Sequence, residues 1–132
     1  GSQYDLLKDM ENEVLSQIDS TLGASGARPE SDLQLLTKIA AYMNDNIDLC
    51  RLLINNAVDS EFPEKLLYLP KIQRLLSEQL ETKYDQDELH YIDQFVINGG
   101  FSMIKSWINK DDREPPERIA AVFVNILSRI FL

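Results

Sequence analysis

Two adjacent glycines, Gly99 and Gly100, lie inside the longest helical pattern of the chain, which covers about Gln86–Lys110. Each glycine in a helix interior costs roughly 1 kcal/mol relative to alanine, so the pair costs about 2 kcal/mol unless a close contact offsets it. Apolar residues surround the pair on more than one side of the helix. A helix of this kind must be buried on more than one side. We therefore expect it to pack on its own core and on a second copy of the chain.

The charge balance of the chain restricts its partners. Thirteen basic and 22 acidic residues give a net charge of −9 over 132 residues. Affinity for nucleic acids depends mainly on Lys and Arg that neutralise phosphates, so this balance argues against direct binding of DNA, RNA or an anionic membrane. No apolar run approaches the roughly 20 residues that cross a bilayer. We expect residues 3–132 to form a single domain and Gly1-Ser2 to be the remnant of a purification tag.

Residues that could support catalysis are scarce. With His90 as the one histidine, no His-based metal cluster can form. No phosphate-binding loop, nucleophile elbow or Cys–His signature is found, so we expect neither an enzyme nor a bound cofactor or metal. His90 is interpreted as a surface or half-buried side chain, or else as a hydrogen-bonding group in a ligand pocket. The single cysteine, Cys50, excludes an intrachain disulfide, is typical of a reducing cytoplasm and is expected to be buried.

Helical periodicity covers almost the whole chain, and no sustained alternation predicts a strand. The predicted helices cover residues 4–22, 32–56, 62–81, 86–110 and 116–131. Two of them begin with capping-box patterns, Ser31 with Gln34 and Asp85 with Glu88. The expected fold is an all-α bundle of about five to six helices.

The second and third predicted helices each contain an irregular feature. In the second, the polar stretch Asn44-Asp45-Asn46 lacks the turn glycine and the distal glutamate of a calcium loop, so a solvated helix face is the better interpretation. In the third, Pro70 removes a hydrogen bond and clashes with the preceding turn, which kinks or splits the helix near Leu69. Because a kinked helix cannot pack evenly along straight neighbours, a cavity is expected beside it.

The last third of the chain, FVINGGFSMIKSWINKDDREPPERIAAVFVNIL, resembles the end of a TetR-family transcriptional regulator. The resemblance rests on Gly99-Gly100, on Trp107 near the helix end, and on the polar turn before the Pro-Glu-Arg-Ile-Ala start of the last helix. The stretch AYMNDNIDLCRLLINN in the second predicted helix also resembles the equivalent helix of the family. In order, the resemblance covers roughly residues 32–132.

The resemblance implies a helical ligand-binding and dimerisation domain of a cytoplasmic bacterial regulator. In this family the last two helices pair with the same helices of a partner and form a four-helix dimer interface, so a homodimer is expected. The family's helix-turn-helix precedes this domain and has no counterpart in this sequence, so DNA binding is expected only through that missing N-terminal domain. The first predicted helix would connect the two.

The effector pocket is expected among the second, third and fourth predicted helices. Its candidate residues are apolar with a few polar tips, which suits a small, largely hydrophobic ligand: Met43, Ile47, Tyr68, Ile72, His90, Tyr91 and Phe95. Along the fourth helix we expect Tyr91–Phe95 to face the pocket and Gly99–Ile108 to face the dimer partner. The candidates for the dimer interface are Gly99, Gly100, Met103, Ile104, Trp107, Ile119, Val122, Phe123, Ile126 and Ile130.

A second hypothesis explains the same apolar helix pair differently. The chain would then be a helical protein-interaction module that docks a different protein and has no small-molecule ligand. This hypothesis predicts a closed core without a cavity and no self-association.

Overall fold

The computed structural model describes residues 2–23, 31–56, 62, 65–66, 68–69, 72, 74 and 80–131. Within these residues there are five α-helices and no strand, which confirms the all-α expectation. The helices are α1 (Gln3–Gly23), α2 (Asp32–Asp45), α3 (Ile47–Asn55), α4 (Gln86–Ile108) and α5 (Pro116–Phe131). Most of the predicted helix at residues 62–81, including its kink at Pro70, lies outside the described residues.

Both predicted capping boxes are present. The Ser31 hydroxyl accepts a hydrogen bond from the Gln34 backbone N–H at 3.2 Å, and the Ser31 N–H donates to the Gln34 side chain at 2.9 Å. Asp85 and Glu88 make the same reciprocal pair at 2.8 and 3.1 Å. Each box satisfies backbone N–H groups that have no partner within the helix, so α2 and α4 begin where the sequence predicts.

The prediction of one continuous helix over residues 32–56 is wrong, because the chain breaks at Asn46. This residue has φ −122° and ψ 43°, outside helical values. Its backbone N–H and its side-chain Nδ2 both donate to the Tyr42 carbonyl oxygen, at 3.0 and 2.9 Å. Asparagine competes with helical hydrogen bonding through such local side-chain contacts. The polar stretch is therefore the end of α2 and the start of a second helix.

The core forms between α1 and the other helices. In the C-terminal half of α1, Val14, Ile18 and Leu22 are fully buried and Leu15 adds to them. They pack in one cluster with α2, α3, Phe62 and the end of α4. Cys50 on α3 belongs to this cluster and is fully buried, as expected.

α4 and α5 run antiparallel. Phe95 contacts Phe131 with ring centroids 6.2 Å apart, Gly100 lies against Phe123, and Trp107 donates from Nε1 to the Glu114 carbonyl at 2.8 Å. Residues later in α4 thus contact residues earlier in α5 or in the turn before it, as expected for antiparallel helices. The other long side of α5 packs against α2.

Polar contacts over a long sequence separation hold the α4–α5 turn against α2 and α3. Arg51 donates from Nε to the Ile108 carbonyl at 2.6 Å and from its terminal nitrogen to the Lys110 carbonyl at 3.2 Å. Arg113 donates from Nε to the Asn44 side chain at 2.7 Å. A cation beside the last carbonyls of a helix is favourable because those carbonyls lack helical partners. Arg51 therefore fixes the end of α4, and with it the start of α5.

Replacing Arg51 by alanine should destabilise the domain by about 1–3 kcal/mol, because the Ile108 carbonyl loses a charged donor. Arg51→Lys should recover only part of this loss, since an ammonium group cannot reproduce the spread of the two guanidinium contacts. Urea denaturation gives the free energy of unfolding. The control is Arg118→Ala, which removes an exposed arginine and should change stability by less than about 0.5 kcal/mol. Equal effects of Arg51→Ala and Arg118→Ala would contradict the role assigned to Arg51.

Candidate functional site

A cavity of about 80 Å³ lies where α2, α4 and α5 meet. Leu66 and Ile72, from the segment between α3 and α4, close one part of its wall. The described residues that line it are Leu36, Ile39, Ala40, Met43, Leu66, Ile72, Gly100, Phe101, Met103, Ile104, Trp107, Ile119, Ala120 and Phe123. The cavity is therefore a partly open pocket between these helices, and α4 and α5 form much of its wall.

The wall of the cavity is apolar. Among the described lining residues only Trp107 has an N–H group in its side chain, and that group already donates to the Glu114 carbonyl at 2.8 Å. None of these residues carries a charge at any pH near neutrality. An occupant would contact hydrocarbon, methionine sulfur and aromatic rings.

Gly100 brings α4 close to Phe123 at the cavity wall. A Cβ atom added at Gly100 would lie 3.2 Å from Cε2 and 3.3 Å from Cζ of the Phe123 ring, which is closer than ordinary van der Waals contact. At Gly99 the same atom would meet nothing within 4 Å. The cost of Gly100 thus has a structural reason inside the monomer, namely the close approach of the Phe123 ring, whereas Gly99 lies on the exposed side of α4.

Two of the seven predicted pocket residues, Met43 and Ile72, line the cavity. Ile47 is half-buried and packs against the core outside the cavity. Tyr68, His90, Tyr91 and Phe95 are exposed, and the His90 and Tyr91 rings contact each other with centroids 5.4 Å apart. The structure does not bring these four residues to the cavity.

The cavity lies against the second half of α4, whereas the pocket was expected at Tyr91–Phe95 in the first half. Tyr91 and Phe95 in the first half are 72% and 63% exposed, whereas Gly100, Met103 and Trp107 in the second half line the cavity. The physical reason is that α4 is apolar on several sides, so its pattern alone does not distinguish the side that faces the bundle from the side that faces solvent.

The sequence reasoning missed Ala40 and Ala120, which face the cavity from α2 and α5. Both are buried. Alanine on two neighbouring helices leaves volume that larger side chains would fill. Small residues within the apolar stripes of two different helices were therefore an available signal.

The ten dimer candidates divide into an inner and an outer group. Trp107 is 2% exposed and belongs to the core, so its side chain has almost no surface left for a partner. Trp107 also lines the cavity, together with five other candidates: Gly100, Met103, Ile104, Ile119 and Phe123. The outer group is Gly99, Val122, Ile126 and Ile130.

An exposed apolar surface lies on α4 and α5. We call it the outer face; it consists of Tyr91, Phe95 and Gly99 on α4 and Val122, Ile126 and Ile130 on α5. The four-residue spacing places each set of three along one flank of its helix. The contact between Phe95 and Phe131 brings the two helices together at one end of this face. Ile126 and Ile130 are 40% and 55% exposed, so most of the outer face is accessible in the single chain.

Burial shifts the pKa of some titratable groups in the described residues. Burial raises the pKa of the Cys50 thiol to about 11, which leaves it protonated and unreactive near neutral pH. Burial also raises the pKa of Asp93, and the charge interaction with the neighbouring His90 offsets only part of this rise. In the described part of the chain, no three His, Cys, Asp or Glu side chains are grouped so that they could hold a metal ion. None of the described helices combines the length and apolarity needed to cross a membrane.

Comparison with known protein families identifies the chain. A family model of TetR C-terminal regions, described as a transcriptional regulator C-terminal region, matches residues 30–129. The chain belongs to this family. The TetR resemblance of its last helices is thereby confirmed over α2 to α5. A search of curated proteins found no match, and a search of solved structures also found none.

The two glycines of this TetR-family domain should respond differently to alanine. Gly99→Ala should raise the free energy of unfolding by up to about 1 kcal/mol, because alanine is the better helix former and the added Cβ meets open space. Gly100→Ala should gain less or lose stability, because the Phe123 ring must move by a few tenths of an ångström. Urea denaturation at concentrations low enough to keep the chain monomeric measures both. If Gly100→Ala were the more stable variant, the Phe123 contact would not explain that glycine.

Proposed function

We propose that this domain is the effector-binding and dimerisation domain of a bacterial, cytoplasmic TetR-family transcriptional regulator. A small, largely hydrophobic effector binds in the cavity between α2, α4 and α5. Two copies associate through their α4–α5 pairs and form a four-helix interface. DNA is bound only through an N-terminal helix-turn-helix domain. The observation that carries this proposal is the α4–α5 pair, which lines an apolar cavity and also exposes an apolar face.

The distribution of charge supports self-association through the outer face. The chain has a net charge of −9, so two copies repel each other over most of their surfaces. No charged residue is present in residues 94–104 of α4 or in residues 119–128 of α5. Two outer faces can therefore approach with little charge repulsion or desolvation of ions. Exposed apolar patches of this kind are typical of interaction sites.

The contact between Gly100 and Phe123 gives effector binding a route to the dimer. Both residues line the cavity, and the helices that carry them also carry the outer face. An occupant that displaces the Phe123 ring shifts α5 relative to α4. Effector binding then favours one of two arrangements of the pair. α1 contacts α2, which lines the opposite wall, and so connects the cavity to a preceding DNA-binding domain.

The cavity favours this function over a helical module that only docks another protein. That alternative predicts a closed core and no self-association. It remains the second candidate because the outer face would also suit a different protein partner.

Self-association can be tested with matched substitutions. Ile126→Glu places a charge on the outer face, whereas Leu52→Glu places one on α3; the native side chains are 40% and 42% exposed, so both charges remain hydrated in the monomer. In a dimer joined through the outer face, only Glu at position 126 becomes buried without a partner, which should weaken dimerisation by at least about 100-fold. Sedimentation velocity over a range of concentrations measures the dissociation constant.

The wild-type chain and Leu52→Glu should both be dimers at roughly tens of micromolar, and Ile126→Glu should be monomeric. A wild-type monomer at that concentration would reject the dimerisation proposal. Equal weakening by both substitutions would place the interface elsewhere.

A further inference from the structure

We infer that the cavity selects ligands, or parts of ligands, that have no charge and no hydrogen-bonding group, so that its occupant is a small hydrocarbon-like or halocarbon-like group. This inference rests on the proposed function. It restricts the chemical class of the effector: the part of the effector that enters the cavity is non-polar throughout. The observation is that no described residue of the wall has a polar side-chain group left to pair.

The Trp107 indole provides the key argument. Its N–H is the one polar side-chain hydrogen that the described wall residues bring to the cavity, and the Glu114 carbonyl accepts it at 2.8 Å. A hydroxyl group on a ligand would therefore lose its hydrogen bonds to water and find no side-chain partner among these residues. The unpaired group should weaken binding by roughly tenfold or more, and a carboxylate by far more than that.

Water does not supply the missing partners, because a buried water molecule itself needs two to four polar groups around it. An apolar cavity of about 150 Å³ stays dry and binds benzene or xenon. The present cavity has about 80 Å³, so it fits an occupant of only a few heavy atoms while its walls stay in place. Met43 and Met103 have flexible, polarisable side chains, which can adjust to a somewhat larger apolar group.

The chain carries its own reporter for this site. Trp107 is the only tryptophan in the sequence, it is 2% exposed, and it lines the cavity. Chloroform, trichloroethanol and trichloroacetate share the trichloromethyl group, which quenches indole fluorescence. They differ in the group attached to it: a hydrogen atom in chloroform, a neutral hydroxymethyl group in trichloroethanol and a carboxylate in trichloroacetate. Quenching by occupation of the cavity saturates with concentration, whereas collisional quenching from solvent does not.

Titration of the wild-type chain with the three quenchers tests the inference. Chloroform should quench Trp107 saturably, trichloroethanol should bind at least about tenfold more weakly, and trichloroacetate at least about 100-fold more weakly.

Ala120→Leu should abolish the saturable phase because it fills the cavity; its helical circular dichroism shows whether it folds. If Ala120→Leu does not fold, Ala40→Leu takes its place, because it fills the cavity from α2. Ser128→Leu adds the same side chain at an exposed position of α5 and should leave chloroform binding unchanged.

The outcomes separate this inference from the proposed function. Equal affinity for the three quenchers, or a preference for trichloroacetate, overturns the non-polar selectivity but leaves an effector-binding cavity. Saturable quenching that persists in both filled variants places the binding site elsewhere and also overturns the inference. If no quencher saturates, the selectivity and the effector-binding part of the proposed function both fail, while dimerisation is judged by sedimentation.

Discussion

The contact between Gly100 and the Phe123 ring joins α4 to α5 at the wall of the cavity. A side chain at position 100 would begin 3.2 Å from that ring, so the absence of a Cβ makes room for the Phe123 ring against α4. On the inner side of this crossing, both residues form the wall of the cavity. On the outer side, the same two helices expose Phe95, Ile126 and their neighbours. The two surfaces on which the proposed function rests are thus carried by the same two helices.

The ends of the α4–α5 pair are held by different interactions. At the turn, Arg51 and Arg113 bind backbone carbonyls and the Asn44 side chain, and these groups anchor the pair to α2 and α3. At the other end, Phe131 packs against Phe95 and Tyr84, and the Tyr84 hydroxyl donates to the Phe131 carbonyl at 3.2 Å. The cavity lies between these two anchored ends. An occupant acts there on the middle of the pair, where apolar packing rather than hydrogen bonding sets the helix spacing.

The all-α fold, the two capping boxes and the range of α5 follow from the sequence, because caps, prolines and a single apolar stripe are local signals. The apolar spacing does not predict the break at Asn46, because it continues from Met43 through Cys50 to Ile54 across the break. The hydrogen bonds from Asn46 to the Tyr42 carbonyl end α2 without changing the spacing of the apolar residues. The site was harder to predict. Met43 was identified, but α4 has apolar residues on several sides, and only tertiary packing directs Gly100 inward and leaves Tyr91 exposed.

The proposed function requires that α4 and α5 both line the cavity and form the homodimer interface. The most direct measurement is crosslinking of Gly99→Cys by a short bismaleimide in a Cys50→Ala background, with Ser16→Cys on the exposed side of α1 as the control. Position 99 has open space around it in the single chain, so a nearby second thiol must come from another copy. The account predicts a crosslinked dimer for Gly99→Cys and none for Ser16→Cys. Equal crosslinking at both positions, or none at position 99, would contradict it.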